Sequence, residues 1–369
     1  MKKVSIWLIG TLLFITSCAP SINEDEVVQE NEETREETSI VPSYQLSEEN
    51  YKMILPFKPS AARGVITDQL GNRVDIDEVE EGLRRHSKAE FDPEKYFYQE
   101  GQYLTEDMVI DWIDGLNPVV EDDEEEEVYR ENPRYLSHVL EQNYLRKKED
   151  NTVELVGISI GIAMKSVYRF QTEPGGPYYY EDISQREMME QANEMAQTML
   201  ERVRQMDELN GVPIMFAIYR EADQGSPIPG NFVAKTNIAG SDMSLNDWET
   251  IDEEYVLFPS DEAEEKYYDD SQLINSFGNE IAQYFPNYVG SIGEGFYVND
   301  DLKKLTIEVP LEFYGKGEVV GFTQYAYGVL KEIFPNYYDL EVKIMSDEKM
   351  ESLIYREAGA EDPTVHIFH

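Results

Sequence analysis

The stretch Val153-Glu154-Leu155-Val156-Gly157-Ile158-Ser159-Ile160-Gly161-Ile162-Ala163-Met164-Lys165-Ser166-Val167 is apolar or small almost throughout. A run of this kind, rich in β-branched residues and broken only by single glycines, predicts a long strand buried on both faces. Residues 187–209 follow as a Met-rich amphipathic helix and 212–219 as a second strand. Upstream, Asp75-Ile76-Asp77 predicts the start of a helix reaching residue 88, with Ile76, Val79, Leu83 and His86 on one face. Thr105-Glu106-Asp107 predicts another, carrying Met108, Val109, Trp112, Ile113 and Leu116. Residues 51–57 predict a short strand. Leu136, Val139, Leu140 and Tyr144 recur at helical spacing, so 134–146 is expected to be a helix.

Downstream, 221–273 is turn-rich and acidic, with one expected strand at 232–238. The last hundred residues predict a helix at 275–285, strands at 289–298 and 303–313 around Asn299-Asp300-Asp301, a helix at 319–334, a strand at 340–344 and a closing helix at 347–356. The expected fold is α+β, with mixed or antiparallel sheets and helices on one face. The helix–strand order of 133–220 recurs, with an added strand, in 275–346. Two related α+β subdomains are one reading, and a shared grammar without common descent is the other. Phe285-Pro286-Asn287-Tyr288 returns as Phe334-Pro335-Asn336-Tyr337, which a common helix stop explains, because proline forces the residue before it out of the helix.

The chain carries 75 Asp+Glu against 31 Lys+Arg, a formal charge of −44. That surface cannot take up nucleic-acid phosphates, and it has no basic patch to hold anionic lipid. The acids concentrate in two places. Residues 21–39 form an expected disordered spacer, and 121–127 are seven consecutive acids, expected in an exposed loop.

The N-terminus is the least charged part. Lys2 and Lys3 precede an apolar run from Val4 to Ile15, and then Thr16, Ser17 and Cys18. This is the three-part pattern of an export signal, with a core too short for a membrane span of roughly 20 residues. Cys18 is the single cysteine of the chain, so no disulfide can form within it. An aliphatic residue, two small residues and cysteine match a bacterial lipobox. A thiol at this place accepts a diacylglyceryl group, and a peptidase cuts between Ser17 and Cys18. Two or more acyl chains then hold the protein stably at the membrane. The expected division is a leader at 1–17, an acidic tether at 18–43, an α+β unit at 44–220, an acidic linker at 221–274 and a second α+β unit at 275–369.

Signals for chemistry are sparse. His86, His138, His366 and His369 form no metal-ligand spacing. Gly315-Lys316-Gly317-Glu318-Val319-Val320-Gly321 misses the dinucleotide fingerprint by one residue and has an acid where a pyrophosphate would lie. No GxSxG elbow occurs. No cofactor or metal is expected. Lys58 and Arg63 sit in a proline-braced cationic loop, and Tyr98 and Gln102 belong to an aromatic–amide cluster. These four are the candidate ligand residues. Arg63 could grip a carboxylate or phosphate in two-pronged fashion, or simply pair with a neighbouring acid.

Residues 51–64 (YKMILPFKPSAARG), 75–83 (DIDEVEEGL) and 98–104 (YQEGQYL) resemble the CamS family of Gram-positive lipoproteins, known as sex-pheromone precursors. The resemblance implies that the released leader is trimmed to a short apolar pheromone, here Thr11, Leu12, Leu13, Phe14, Ile15, Thr16 and Ser17. It implies lipoprotein-processing enzymes as partners and the outer face of the cytoplasmic membrane as the location. It implies no catalytic residue. The mature domain is then expected to be a non-enzymatic binding module for a peptide or wall polymer. The alternative is a cell-envelope hydrolase working through paired carboxylates.

Overall fold

A computed structural model describes residues 26–29, 37–42, 45–47, 50–60, 62–65, 70–121, 124–149, 152–347 and 349–368. The leader, its peptide Thr11–Ser17 and Cys18 lie outside the described residues. The described chain begins with a ribbon of β1 (Glu26–Gln29) and β2 (Glu37–Ile40). The first large sheet is built from β3 (Lys52–Met53), β4 (Phe97–Glu100), β5 (Leu136–Lys147), β6 (Val153–Met164), β9 (Ile214–Arg220), β10 (Asn231–Ile238) and β11 (Glu249–Thr250). Its helices are α1 (Arg73–Ser87), α2 (Glu106–Leu116), α3 (Glu126–Glu131) and α4 (Gln185–Val203). The hairpin β7 (Val167–Phe170) and β8 (Tyr179–Asp182) is inserted between β6 and α4. The second sheet holds β12 (Glu253–Phe258), β13 (Ile292–Val298), β14 (Asp301–Pro310), β15 (Asp339–Ser346), β16 (Lys349–Arg356) and β17 (Thr364–Ile367). Its helices are α5 (Asp261–Lys266), α6 (Tyr268–Tyr284) and α7 (Lys316–Ile333).

The expected central strand is β6, parallel to β9 and antiparallel to β5. Its residues alternate in size. Ile158, Ile160, Ile162 and Met164 enter one core with Val109, Trp112 and Ile113 of α2 and Met188, Met195 and Met199 of α4. Gly157, Ser159, Gly161 and Ala163 face α1 on the opposite side. There Ser87 and Ser159 share a 2.6 Å hydroxyl contact, and a Cβ on Gly157 would overlap the Phe91 ring. Small residues on that face allow α1 to lie close. The first sheet is therefore covered on both faces, whereas helices on one face describes the second sheet. There α6 and α7 bury Leu305, Ile307 and Val309 of β14 and Leu340, Val342 and Ile344 of β15.

Five local expectations are corrected. Residues 134–146 form β5, not a helix. β5 bonds to β4 and β6 at once, and Ser137, His138, Gln142 and Asn143 are as buried as Leu136 and Val139, so alternation is erased and a chance helical spacing is left. Residues 349–356 form β16 between β15 and β17, with Ser352, Ile354 and Arg356 buried at period two. The region 221–274 is no linker, since it supplies β10 and β11 to one sheet and β12 to the other. The acidic spacer holds the antiparallel β1–β2 ribbon. Part of the acid run 121–127 also folds, as the first turn of α3.

The two sheets share one wiring. β4–β5–β6–β9–β10–β11 and β12–β13–β14–β15–β16–β17 have the same order and the same sequence of antiparallel, antiparallel, parallel, antiparallel, antiparallel neighbours. In both, two helices join the first strand to the second and a long helix makes the parallel crossover. The fold is thus two topological copies meeting between Thr250 and Glu253. β3, α1 and the β7–β8 hairpin belong to the first copy alone. The repeated FPNY tetrapeptide follows α6 and α7, two different positions of the same copy, so it is a helix stop and no mark of the duplication.

α1 also joins the copies. The Arg85 guanidinium bonds Glu78 at 2.6 Å and Glu253 of β12 at 3.0 Å, and it lies over the Phe296 ring. His86 Nε2 lies 3.0 Å from Glu253, and the Tyr255 hydroxyl donates to Glu78 at 2.6 Å.

Candidate functional site

The cationic loop and the aromatic–amide cluster do meet. Arg63 forms an ion pair with Glu100, whose other oxygen accepts from the Ser60 backbone N–H at 2.6 Å. Burial opposes the Arg63 charge, but the Glu100 hydrogen bond and the charges of Glu80 and Glu100 raise its pKa. Gln102 Nε2 donates to the carbonyls of Glu100 and Gly101 at 3.1 Å and reaches that of Lys58 at 3.3 Å. Tyr98 is buried beneath Arg84. The four residues make one neighbourhood, and a ligand anion at Arg63 would have to displace Glu100. Beneath lies His138, buried with its Nδ1 lacking a partner, its pKa driven down to about 3 by desolvation, so it stays neutral. Asp75, expected as a helix cap, is buried instead and accepts from Tyr219, Gly230 and Ala222. Asn72 caps α1.

A second site was not signalled by any motif. Where β6 and β9 end side by side, a crevice of 300 Å³ opens. It is lined by Ser166, Asp182, Arg220, Glu221, Asp223 and Ser226, among others. In open α/β sheets such crevices lie outside the carboxyl ends of the parallel strands. Glu221 is 6% exposed, and its Oε1 has no hydrogen-bond partner among the described residues. Desolvation pushes its pKa up to about 7, against the opposing pull of Ser137 and Lys165. Lys165 behind it is lowered by burial. Arg220 donates through Nη2 to the Ile183 carbonyl at 3.0 Å, while its Nε is buried and unpartnered. Only the pairing of β6 with β9 assembles these residues, which lie from Ser166 to Ser226 in the chain.

The equivalent place in the second copy, at the ends of β14 and β15, is a 630 Å³ cleft lined by Pro310, Leu311, Phe313, Tyr314 and Asp347. Asp347 and Glu221 both directly follow the last residue of the second parallel strand. Among the described residues, no group of three or more His, Cys, Asp or Glu is placed to hold a metal ion.

The profile of the family described as "CamS sex pheromone cAM373 precursor" matches residues 57–362. The chain belongs to the CamS family. The CamS chain superposes on the crystal structure of a sex pheromone precursor from Lactobacillus salivarius with a TM-score of 0.83 at 28% identity, covering 90% of this chain and 99% of that one. It matches the C-terminal domain of the sex pheromone staph-cAM373 precursor from Staphylococcus aureus with a TM-score of 0.71, also at 28% identity, over 82% of this chain and 99% of that one. No curated protein matches. Family membership supports a pheromone-precursor role, and it confirms the resemblance read from residues 51–104. No helix among the described residues is long and apolar enough to cross a membrane.

The Glu221 shift has a testable consequence in this CamS chain. Unfolded, the carboxyl titrates near 4.5, and folded it titrates near 7. The folded state therefore holds the extra proton between these values, and stability falls as pH rises through 7. His138 contributes only below about pH 6.5, where acid must charge a buried ring. Between pH 6.5 and 8.5 Glu221 should cost about 1 kcal/mol. Urea unfolding across that window should show the decline, and Glu221→Gln should flatten it. An unchanged slope in the variant would refute the assignment.

Proposed function

We propose that this chain is a surface lipoprotein, anchored through lipidated Cys18 on the outer face of the cytoplasmic membrane, whose leader yields a pheromone-like peptide. The observation that carries this reading is the single cysteine, directly after a short apolar leader, in a member of a pheromone-precursor family. The peptide is Thr11-Leu12-Leu13-Phe14-Ile15-Thr16-Ser17, neutral and apolar enough to leave through a membrane. The domain beyond the tether acts as a non-enzymatic extracytoplasmic binding module for a peptide or wall polymer. Lipoprotein-processing enzymes are its maturation partners.

Cys18→Ala should abolish palmitate labelling in a Gram-positive host and move the protein out of the membrane fraction. Mass spectrometry of the medium should find the heptapeptide from the wild type. Full membrane retention of the Cys18→Ala chain, with no lipid, overturns the anchor. Absence of any fragment of 11–17 overturns the peptide.

A second reading, an envelope hydrolase using paired carboxylates, draws on Glu221 near neutral pKa beside Asp182 and Asp223. Release of soluble fragments from purified wall by the wild type but not by Glu221→Gln would select it.

A further inference from the structure

The β7–β8 hairpin, which the second copy lacks, borders the β6/β9 crevice. Val167 and Asp182 pair across the hairpin, and both line the crevice. Side chains two apart on a strand share a face, so Tyr180 lies on the same side as Asp182, and Tyr178 directly precedes the strand. Tyr178 and Tyr180 are 50% and 55% exposed, while Tyr179 between them turns inward and stacks on Phe170. Arg169, opposite Tyr180 in the register, lies over the Tyr178 ring at 3.6 Å and donates to Gln224 of the loop on the far side of the crevice. The hairpin that lines the crevice through Val167 and Asp182 thus also presents two exposed tyrosine rings, and Arg169 braces the first of them.

The crevice itself is unfinished. Among the described residues, Glu221 Oε1 is a buried acceptor without a donor and Arg220 Nε a buried donor without an acceptor. Such groups cost roughly 1–3 kcal/mol each unless something satisfies them. A hydroxyl both donates and accepts, so sugar hydroxyls suit a crevice whose lining carries both acceptors (Asp182, Glu221, Asp223) and donors (Ser166, Arg220, Ser226). The volume of 300 Å³ admits a single ring. Exposed tyrosine faces offer flat apolar surface to the C–H face of a pyranose. In the second copy the cleft is larger, more apolar and has no hairpin beside it.

We propose that the β6/β9 crevice and the Tyr178/Tyr180 face of the hairpin form one site for a neutral oligosaccharide, with one pyranose in the crevice and the next stacked on tyrosine. This rests on the binding-module reading and names its ligand class. Peptide is the competing occupant.

The test uses the full chain carrying Cys18→Ala, held in detergent. Saturation-transfer NMR would probe di- and trisaccharides of glucose, N-acetylglucosamine and N-acetylgalactosamine, with alanine- and lysine-containing tripeptides alongside, followed by calorimetry on any binder. At least one sugar should bind. The Tyr178→Ala/Tyr180→Ala double variant should weaken it at least tenfold, and Glu221→Gln should weaken it too. Tyr314→Ala at the other cleft should leave it unchanged. Both tyrosines are exposed, so the double variant keeps the fold, which circular dichroism confirms. Binding of no sugar, binding of the tripeptides alone, or sugar binding indifferent to the double variant each overturns the proposal. Co-sedimentation with purified wall separates the two levels. Wall binding that survives the double variant sinks this site and keeps the binding module. Loss of all wall and ligand binding in the wild type sinks both.

Discussion

The Glu141→Ala chain is expected to lose about 3–5 kcal/mol of unfolding free energy, a large share of a typical domain's stability. Glu141 is buried in β5, and its two oxygens receive three backbone N–H groups from the turn between β4 and α2: Gln102 at 3.1 Å, Tyr103 at 3.1 Å and Leu104 at 2.6 Å. The backbone carbonyl of the same residue takes the Gly101 N–H at 3.0 Å. A carboxylate thereby acts as the hydrogen-bonding partner of a turn that has left the sheet. Burial raises the Glu141 pKa while the donated bonds oppose it, so the carboxyl is held by a balance of large opposing effects. Truncation to alanine strands the three donors in a dry place at roughly 1–3 kcal/mol each. Glu141→Gln keeps one acceptor oxygen but aims an amide N–H₂ at donors, so it should fall between. Urea denaturation of the three proteins measures the order directly. A loss below about 1 kcal/mol for Glu141→Ala would mean that water enters and satisfies the turn.

Gly157→Val should cost as much, about 3 kcal/mol or more, for the opposite reason. Here nothing is left unpaired and too much is present. The position faces Phe91, whose ring stacks on Tyr144 at 4.4 Å, and Tyr51 donates its hydroxyl to the Phe91 carbonyl. The ring therefore has no direction in which to retreat. Any side chain at 157 forces Phe91, and with it the chain that follows α1, off the sheet. The decisive measurement is a double-mutant cycle. If the clash is the cause, Phe91→Ala in the Gly157→Val background should recover part of the loss, giving a coupling energy well above 0.5 kcal/mol. Simple additivity of the two costs would assign the effect to backbone conformation instead.

These two sites show why some elements were readable and others were not. β6 was legible because its length and composition suit only a doubly buried strand, and α2 was legible because Thr105 caps it, accepting from Met108 N at 3.4 Å. β5 was not. Its polar residues are buried because β4, β6, α1 and the 101–104 turn each demand something of it, and none of those demands is local. β16 was missed for the same reason, as a strand between two others whose pairing the sequence does not display. Among the candidate site residues, Arg63 belongs to a cationic loop and Tyr98 and Gln102 to an aromatic run, two local signals that the structure brings into one neighbourhood. That Glu100 already holds Arg63 could be seen only in three dimensions. The crevice of Glu221 and Arg220 carried no motif at all.

What the sequence by itself determined is what short-range chemistry can write. This comprises the apolar run ahead of a lone Cys18, the acid excess, the Thr105 helix cap, the central strand and the family signature. What only the tertiary structure decided is which strands pair: the two copies with one wiring, their meeting at 250–253, the arginine that ties α1 to β12, and the crevice with its flanking tyrosines. Strand pairing joins residues far apart in the chain through backbone groups that every residue carries alike, so side-chain identity says little about it. The burial that follows from pairing then sets the charge state of Glu221 and His138, which no local sequence could have foretold.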